Sequence, residues 1–261
     1  MIGVFDSGIG GLTVVRALLD RLPGHDITYL GDTARTPYGS KSAATIIKYS
    51  LKNTEFLLRQ GARFIVIACN TASSYAFQAV QDQFKLPVFE VIGPGAHLAV
   101  RRSKRLRIGV IGTRATIASG VYEAKIKQEN SQAQVFTAPC PLLVPLVEEG
   151  WISRRETTMI VRNYLHPLKT RQIDTLILGC THYPVLRHVI QRKIGARVAL
   201  VDSAEAIAGQ VADFLNAPPP TETPICRTRR LTVFVTDVAE QFRRTARLIL
   251  QHPVKIHQAD L

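Results

Sequence analysis

The chain carries one short pattern twice, and that duplication limits which folds it can adopt. Cys69 closes the apolar run Phe64-Ile65-Val66-Ile67-Ala68 and is followed by Asn70-Thr71. Cys180, 111 residues on, closes Leu176-Ile177-Leu178-Gly179 and is followed by Thr181-His182. A second pair, Ile2-Gly3-Val4-Phe5 and Ile108-Gly109-Val110-Ile111, recurs 106 residues apart. Short apolar runs bounded by polar residues read as buried strands, and here each half ends one of them in a thiol.

Longer amphipathic stretches separate the apolar runs, the alternation of an α/β fold with mostly parallel strands. Strands are expected near 2–5, 27–30, 64–67 and 88–91, with helices near 11–21, 42–59 and 72–84. Leu12, Val15, Leu18 and Leu19 give the first helix its apolar stripe, and Leu22-Pro23-Gly24 stops it. The second half repeats the theme, with strands near 107–111, 134–137, 175–179 and 198–201 and helices near 117–129, 154–169 and 184–192. A helix to about Asn216 precedes Ala217-Pro218-Pro219-Pro220, which cannot continue it. A strand near 231–235, a helix near 237–250 and a strand near 254–257 finish the chain.

The expected architecture is two pseudo-symmetric domains, each a mostly parallel sheet flanked by helices. Residues 1–93 plus 206–261 form the first, with Cys69, and 94–205 the second, with Cys180. Gly93-Pro94-Gly95 and the Asp202-Ser203 turn are the expected crossings. Ligands of open α/β sheets lie beyond the carboxyl ends of the strands, so the site belongs in the inter-domain cleft.

No run reaches the roughly 18 apolar residues of a membrane span. The first strand begins at Ile2, which leaves no signal peptide, so a soluble cytoplasmic protein is expected. Four cysteines form neither a disulfide framework nor a zinc-ligand spacing, and no metal is expected. The net charge of +13 gathers in Arg101-Arg102-Ser103-Lys104-Arg105-Leu106-Arg107 and Arg227-Thr228-Arg229-Arg230. Without interleaved aromatics these runs read first as solvated loops that attract anionic metabolites, and second as a nucleic-acid contact.

Asp6-Ser7-Gly8-Ile9-Gly10-Gly11 follows a strand and opens a helix, so its backbone N–H groups suit an anion. A dinucleotide fingerprint fails because Thr13 stands where its last glycine belongs. The polar loop Gly31 to Ser40, with Asp32, Tyr38 and Gly39, reads as a binding loop. Lys41 as a pyridoxal phosphate Schiff base is the weaker reading of an exposed lysine, and no cofactor is expected. A strand-end cysteine just before a helix has its thiolate stabilised by the helix N-terminus, which lowers its pKa. Asp6, Glu148 and His182 are the candidate proton relays. Cys140, between two prolines, and Cys226, in the basic loop, lack that setting and read as structural.

Two thiols suit one chemistry above others. Inverting a carbon centre by proton transfer removes a proton from one face and delivers one to the other. A single group does not readily reach both faces, whereas a thiolate and a thiol on opposite sides exchange roles with each enantiomer.

These residues closely resemble the cofactor-independent glutamate racemases of the aspartate/glutamate racemase superfamily. The matching blocks are Phe5-Asp6-Ser7-Gly8-Ile9-Gly10-Gly11-Leu12-Thr13-Val14, Gly31-Asp32-Thr33-Ala34-Arg35 with Pro37-Tyr38-Gly39, Ala68-Cys69-Asn70-Thr71-Ala72-Ser73, and Leu178-Gly179-Cys180-Thr181-His182-Tyr183-Pro184. Val91 to Ala96 and Leu146-Val147-Glu148-Glu149-Gly150 give weaker support. The resemblance implies interconversion of L- and D-glutamate for peptidoglycan, without pyridoxal phosphate or metal. It makes Cys69 the base for D-glutamate and Cys180 the base for L-glutamate. Asp6 then assists the first thiol, and Glu148 and His182 the second. Substrate contacts are implied for Asp6, Ser7, Tyr38, Gly39, Asn70, Thr71, Thr181 and His182, with Asp32 in support. A homodimer is compatible with this reading. No extension precedes the first strand, so activation by a peptidoglycan precursor is not expected. Some members are known to touch DNA gyrase, which leaves a gyrase or nucleic-acid contact as a secondary expectation. Racemisation of aspartate or another amino acid, and a DNA- or gyrase-binding protein on the same scaffold, are the alternatives.

Overall fold

The computed structural model describes residues 1–216 and 230–261. Ala217 to Pro220, Cys226 and most of the second basic run lie outside the described residues. The first half alternates β1 (Ile2–Asp6), α1 (Leu12–Arg21), β2 (Ile27–Gly31), α2 (Ala43–Arg59), β3 (Phe64–Ile67), α3 (Asn70–Phe84), β4 (Val88–Glu90) and α4 (Ile92–Arg102). The second half runs β5 (Arg107–Gly112), α5 (Arg114–Ala118), α6 (Val121–Glu129), β6 (Gln134–Pro139), α7 (Leu143–Glu148), α8 (Arg155–Thr170), β7 (Thr175–Gly179), α9 (Arg187–Ile194), β8 (Ala199–Asp202) and α10 (Ser203–Asn216). The chain ends with β9 (Leu231–Val235), α11 (Glu240–Leu250) and β10 (Ile256–Gln258).

The strands form two sheets, ordered β10-β9-β2-β1-β3-β4 and β6-β5-β7-β8. Every pairing is parallel. The duplication is visible in the connectivity. In each half the first strand is central, the second lies on one side of it, and the third and fourth follow on the other. β9 and β10 extend the first sheet beyond β2.

Parallel strands covered on both faces read as continuous apolar runs, which is why the strand runs stand out in the sequence. Val4 and Val66 pack into one cluster with Leu12, Val15 and Leu18 of α1. Their neighbours Phe5, Ile65 and Ile67 pack on the opposite face with Ile46 and Leu57 of α2. Each such fully buried side chain contributes roughly 1.5–3 kcal/mol. α10 sets Ile207, Ala208 and Val211 into the α1 cluster.

Three local readings are corrected. The helix expected over 117–129 is two helices, because Gly120 adopts φ +67°, a left-handed conformation that ends one helix and starts the next. Residues 92–102 form α4, a helix not expected from the sequence, and Gly93-Pro94-Gly95 lies within its first turn. The Glu90 carboxylate accepts from the Ile92 and Gly93 N–H groups at 2.5 and 2.7 Å and so caps a helix that the sequence argues against. The stretch after Cys180 begins with a single tight turn over Tyr183–Leu186, and an α-helix forms only from Arg187.

Three arginines of the first basic run are held by hydrogen bonds within the chain while remaining at its surface. Arg102 donates to the Leu200 carbonyl, Arg105 to Gln172 and Arg107 to Arg171. These bonds tie the α4–β5 connection to β8 and to the loop before β7. No helix among the described residues is long and apolar enough to cross a membrane.

Candidate active site

β1 and β3 are neighbours, so their carboxyl ends place Asp6 and Cys69 side by side. Cys69 is the N-cap of α3, and its Sγ accepts from the Ala72 N–H at 3.5 Å. Ser7 Oγ lies 3.5 Å away on the other side. The helix N-terminus does act on this thiol, but it does not win. Burial, reinforced by the charge of Asp6, pushes the Cys69 thiol up to about 12 despite the bonds from Ser7 and Ala72. The expected lowering of its pKa is therefore corrected: burial favours the protonated form of Cys69. Asp6 is fully buried and accepts from Gly8 N–H at 3.0 Å and from Thr181 Oγ1 at 3.3 Å. Burial raises its pKa; the nearby His182 charge and these bonds only partly oppose that.

β5 and β7 repeat the arrangement in the second half and deliver Cys180. Because no α-helix starts there, the polar partner of this thiol is an imidazole. His182 Nδ1 lies 3.8 Å from Cys180 Sγ, and its Nε2 lies 3.1 Å from Glu148 Oε1. Glu148 is the last residue of α7, and Gln241 of α11 donates to its backbone carbonyl. Burial alone would depress the imidazole. The Cys180 and Glu148 contacts outweigh it and raise His182 to about 10, so it is an imidazolium at neutral pH. Cys180 thus faces a fixed positive charge and Cys69 a buried carboxylate.

Gly10 is one of the residues that let the two halves meet here. A Cβ at this position would stand 2.3 Å from Thr181 Oγ1 and 2.5 Å from His182 Nδ1. Gly10→Ala is therefore expected to cost about a hundredfold in kcat, since an ångström of displacement at a reacting centre has that effect. Steady-state kinetics beside a melting curve check it: activity falls about a hundredfold while the melting temperature drops by only about 2–10 °C, the range that overpacking costs.

One cavity joins the two thiols. Ser7, Tyr38, Gly39, Asn70, Thr71, Thr181 and His182 line it with Cys69 and Cys180. It is narrow, with a volume of about 20 Å³, so its walls nearly meet. Asp6, Glu148 and Lys41 are not part of its lining. Tyr38 enters it in a different manner from the one expected. Its hydroxyl is taken by Asp32 at 2.5 Å and by Asn53 at 3.0 Å, so the residue offers the cavity its ring and backbone. Asp32 is fully buried and also accepts from Thr236 of the C-terminal strand segment at 3.1 Å.

Thr113 and Val144 complete the lining and were not singled out in the sequence. Thr113 had a signal. It stands 106 residues after Ser7, at the same place after β5 that Ser7 holds after β1. Its hydroxyl bonds Thr71 across the halves at 3.0 Å, and its side chain meets Gly39. Val144 had none. Cys140 is buried and free, with its carbonyl accepting from Tyr183 at 2.9 Å. Larger cavities of about 420 and 1020 Å³ include neither thiol. Among the described residues no group of three or more His, Cys, Asp or Glu is placed to hold a metal ion.

The Asp/Glu/hydantoin racemase family model matches residues 11–211. A glutamate racemase of Persephonella marina is 45% identical over 260 residues, covering 100% of this chain and 97% of its own. The crystal structure of glutamate racemase isoform RacE1 from Bacillus anthracis superposes with a TM-score of 0.94 at 35% identity, covering 100% of this chain and 97% of that one. The glutamate racemase of Francisella tularensis, solved in complex with D-glutamate, gives a TM-score of 0.88 at 37% identity, with 100% and 96% covered.

Proposed function

The chain belongs to the Asp/Glu/hydantoin racemase family, and from that premise we propose that it interconverts L- and D-glutamate by passing the Cα proton between Cys69 and Cys180. It is an amino-acid racemase. The observation that carries the mechanism is the cavity that both thiols line, with His182 beside Cys180 and the Asp6 carboxylate acting on Cys69.

With L-glutamate bound, Cys180 is the base. The His182 imidazolium stabilises negative charge on its sulfur before transfer, and Glu148 holds the imidazole in place. Cys69, kept protonated by burial, delivers its proton to the opposite face. The product is D-glutamate, and the charges have exchanged sides. From D-glutamate the roles reverse, with Cys69 as base and Asp6 as its proton relay. Backbone N–H groups after β1, together with Ser7, Asn70, Thr71 and Thr181, suit the two carboxylates. The D-glutamate formed would supply peptidoglycan assembly in the cytoplasm. No cofactor takes part in this scheme.

Chiral analysis of product from purified protein, first dialysed against a chelator and a carbonyl reagent, tests the substrate and the cofactor-free scheme together. Glutamate is expected to racemise at full rate. Aspartate, one methylene shorter, should be roughly 10–200-fold poorer in kcat/KM. Equal or faster turnover of aspartate would reassign the substrate. Activity restored only by pyridoxal phosphate or a metal would overturn the cofactor-free scheme.

A further inference from the structure

Tyr122 touches both thiol-bearing segments, although it belongs to neither. It is buried on α6, and its hydroxyl donates to Asn70 Oδ1 at 2.6 Å. Asn70 follows Cys69 directly and opens α3. The Tyr122 ring packs on Gly179, the residue before Cys180: a Cβ there would fall 3.0 Å from Tyr122 Cε2. One side chain thus bridges the carboxyl ends of β3 and β7 across the two halves.

The bond to Asn70 has a polarity. An amide has an accepting end and a donating end, and rotation by half a turn exchanges them. Ser203 hydrogen-bonds the Tyr122 oxygen, and burial keeps the phenol protonated, which leaves its O–H to donate. The Asn70 oxygen must then face Tyr122, and Nδ2 must face away. That Nδ2 is buried and has no hydrogen-bond partner among the described residues. Asn70 is 2% exposed and lines the cavity between the thiols. A buried amide with an unused donor is costly unless something is to fill the place.

We propose that Tyr122 is a positioning residue that fixes which end of the Asn70 amide faces the bound amino acid, so that Nδ2 donates to a substrate carboxylate. The inference rests on the glutamate reading above and adds the residue that orients its binding wall. A flipped amide would set its oxygen against the carboxylate. Tyr122 therefore acts on substrate binding, through Asn70, and not on proton transfer.

Tyr122→Phe keeps the ring on Gly179 and removes only the hydroxyl. KM for both enantiomers is expected to rise about tenfold, the scale of one hydrogen bond to a charged group, with kcat within about twofold. In the double variant with Asn70→Ala, KM should be no higher than in Asn70→Ala alone, because Tyr122 has nothing left to orient. An unchanged KM in Tyr122→Phe, or additive losses in the double variant, would overturn the role. So would a loss confined to kcat and melting temperature, the mark of a purely structural tyrosine. Solvent-deuterium exchange at Cα of glutamate by the wild-type protein is read first. A wild type without exchange overturns the glutamate reading and this one with it, whereas exchange with an unchanged KM in the variant overturns Tyr122 alone.

Discussion

Cys69→Ser and Cys180→Ser are each expected to lower racemisation by at least about a thousandfold in both directions. A positioned acid or base is worth roughly 10²–10⁴, and a hydroxyl is too weak an acid to replace a thiol in either role. L- and D-glutamate are mirror images of equal free energy, so kcat/KM must fall equally for both, whichever thiol is lost. The two variants are told apart by partial reactions. Cys69→Ser retains the base for L-glutamate and should slowly exchange its Cα–H with solvent, while D-glutamate does not exchange. Cys180→Ser should show the mirror pattern. NMR of each enantiomer in deuterated buffer measures this. Either variant racemising at a near-normal rate, or both exchanging the same enantiomer, would contradict the assignment of one thiol to each face.

His182→Gln carries the second large effect, because it removes a positive charge from beside Cys180 and leaves Glu148 without its partner. A loss in kcat of about 10²–10³-fold is expected. The substitution also changes how stability responds to pH. His182 is raised to about 10 in the folded protein, against an ordinary imidazole value of 6.5. A group with a raised folded pKa binds more protons folded than unfolded between those two values, so stability falls as pH rises. The contribution of His182 is complete below about pH 6.5 and is lost as pH climbs through about 10. The Cys69 thiol, raised from 9.0 to about 12, adds a further loss above about pH 9. Asp202, raised to about 6, has exerted most of its effect on stability by the start of a pH 6 to 9 window, so the difference in melting between wild type and variant over that range reads the imidazole. The wild-type melting temperature should drop by about 5 °C or more over that range, and His182→Gln should flatten the slope. Equal slopes would mean that His182 is not an imidazolium in the native state.

Much of the fold was legible because its strands are covered on both faces. Ile2–Asp6, Phe64–Ile67 and Thr175–Gly179 are buried throughout, and such runs announce themselves as apolar blocks. The glycine and proline at the start of α4 hid that helix, since the carboxylate that caps it, Glu90, sits two residues before it. Gly120 is silent in a periodic stretch until its left-handed backbone is seen.

At the site, the two thiols and His182 stood out through local sequence context. The sign of the Cys69 shift did not, because a helix N-terminus is a sequence-local feature while burial is a product of the whole fold. Tyr122 and Thr113 escaped notice for a related reason. Each reaches a residue of the opposite half, Asn70 or Thr71, some forty to fifty positions away, and only the duplication of Ser7 in Thr113 leaves any trace in the sequence.

The two-base scheme is tested most directly by incubating the wild-type protein with L-glutamate in deuterated buffer and following label in both enantiomers at early times. The expected result is D-glutamate carrying deuterium at Cα while the remaining L-glutamate stays unlabelled, because the proton is taken by one sulfur and replaced from the other. Deuterium entering L-glutamate as fast as D-glutamate forms, or D-glutamate retaining the original proton, would mean that a single group serves both faces.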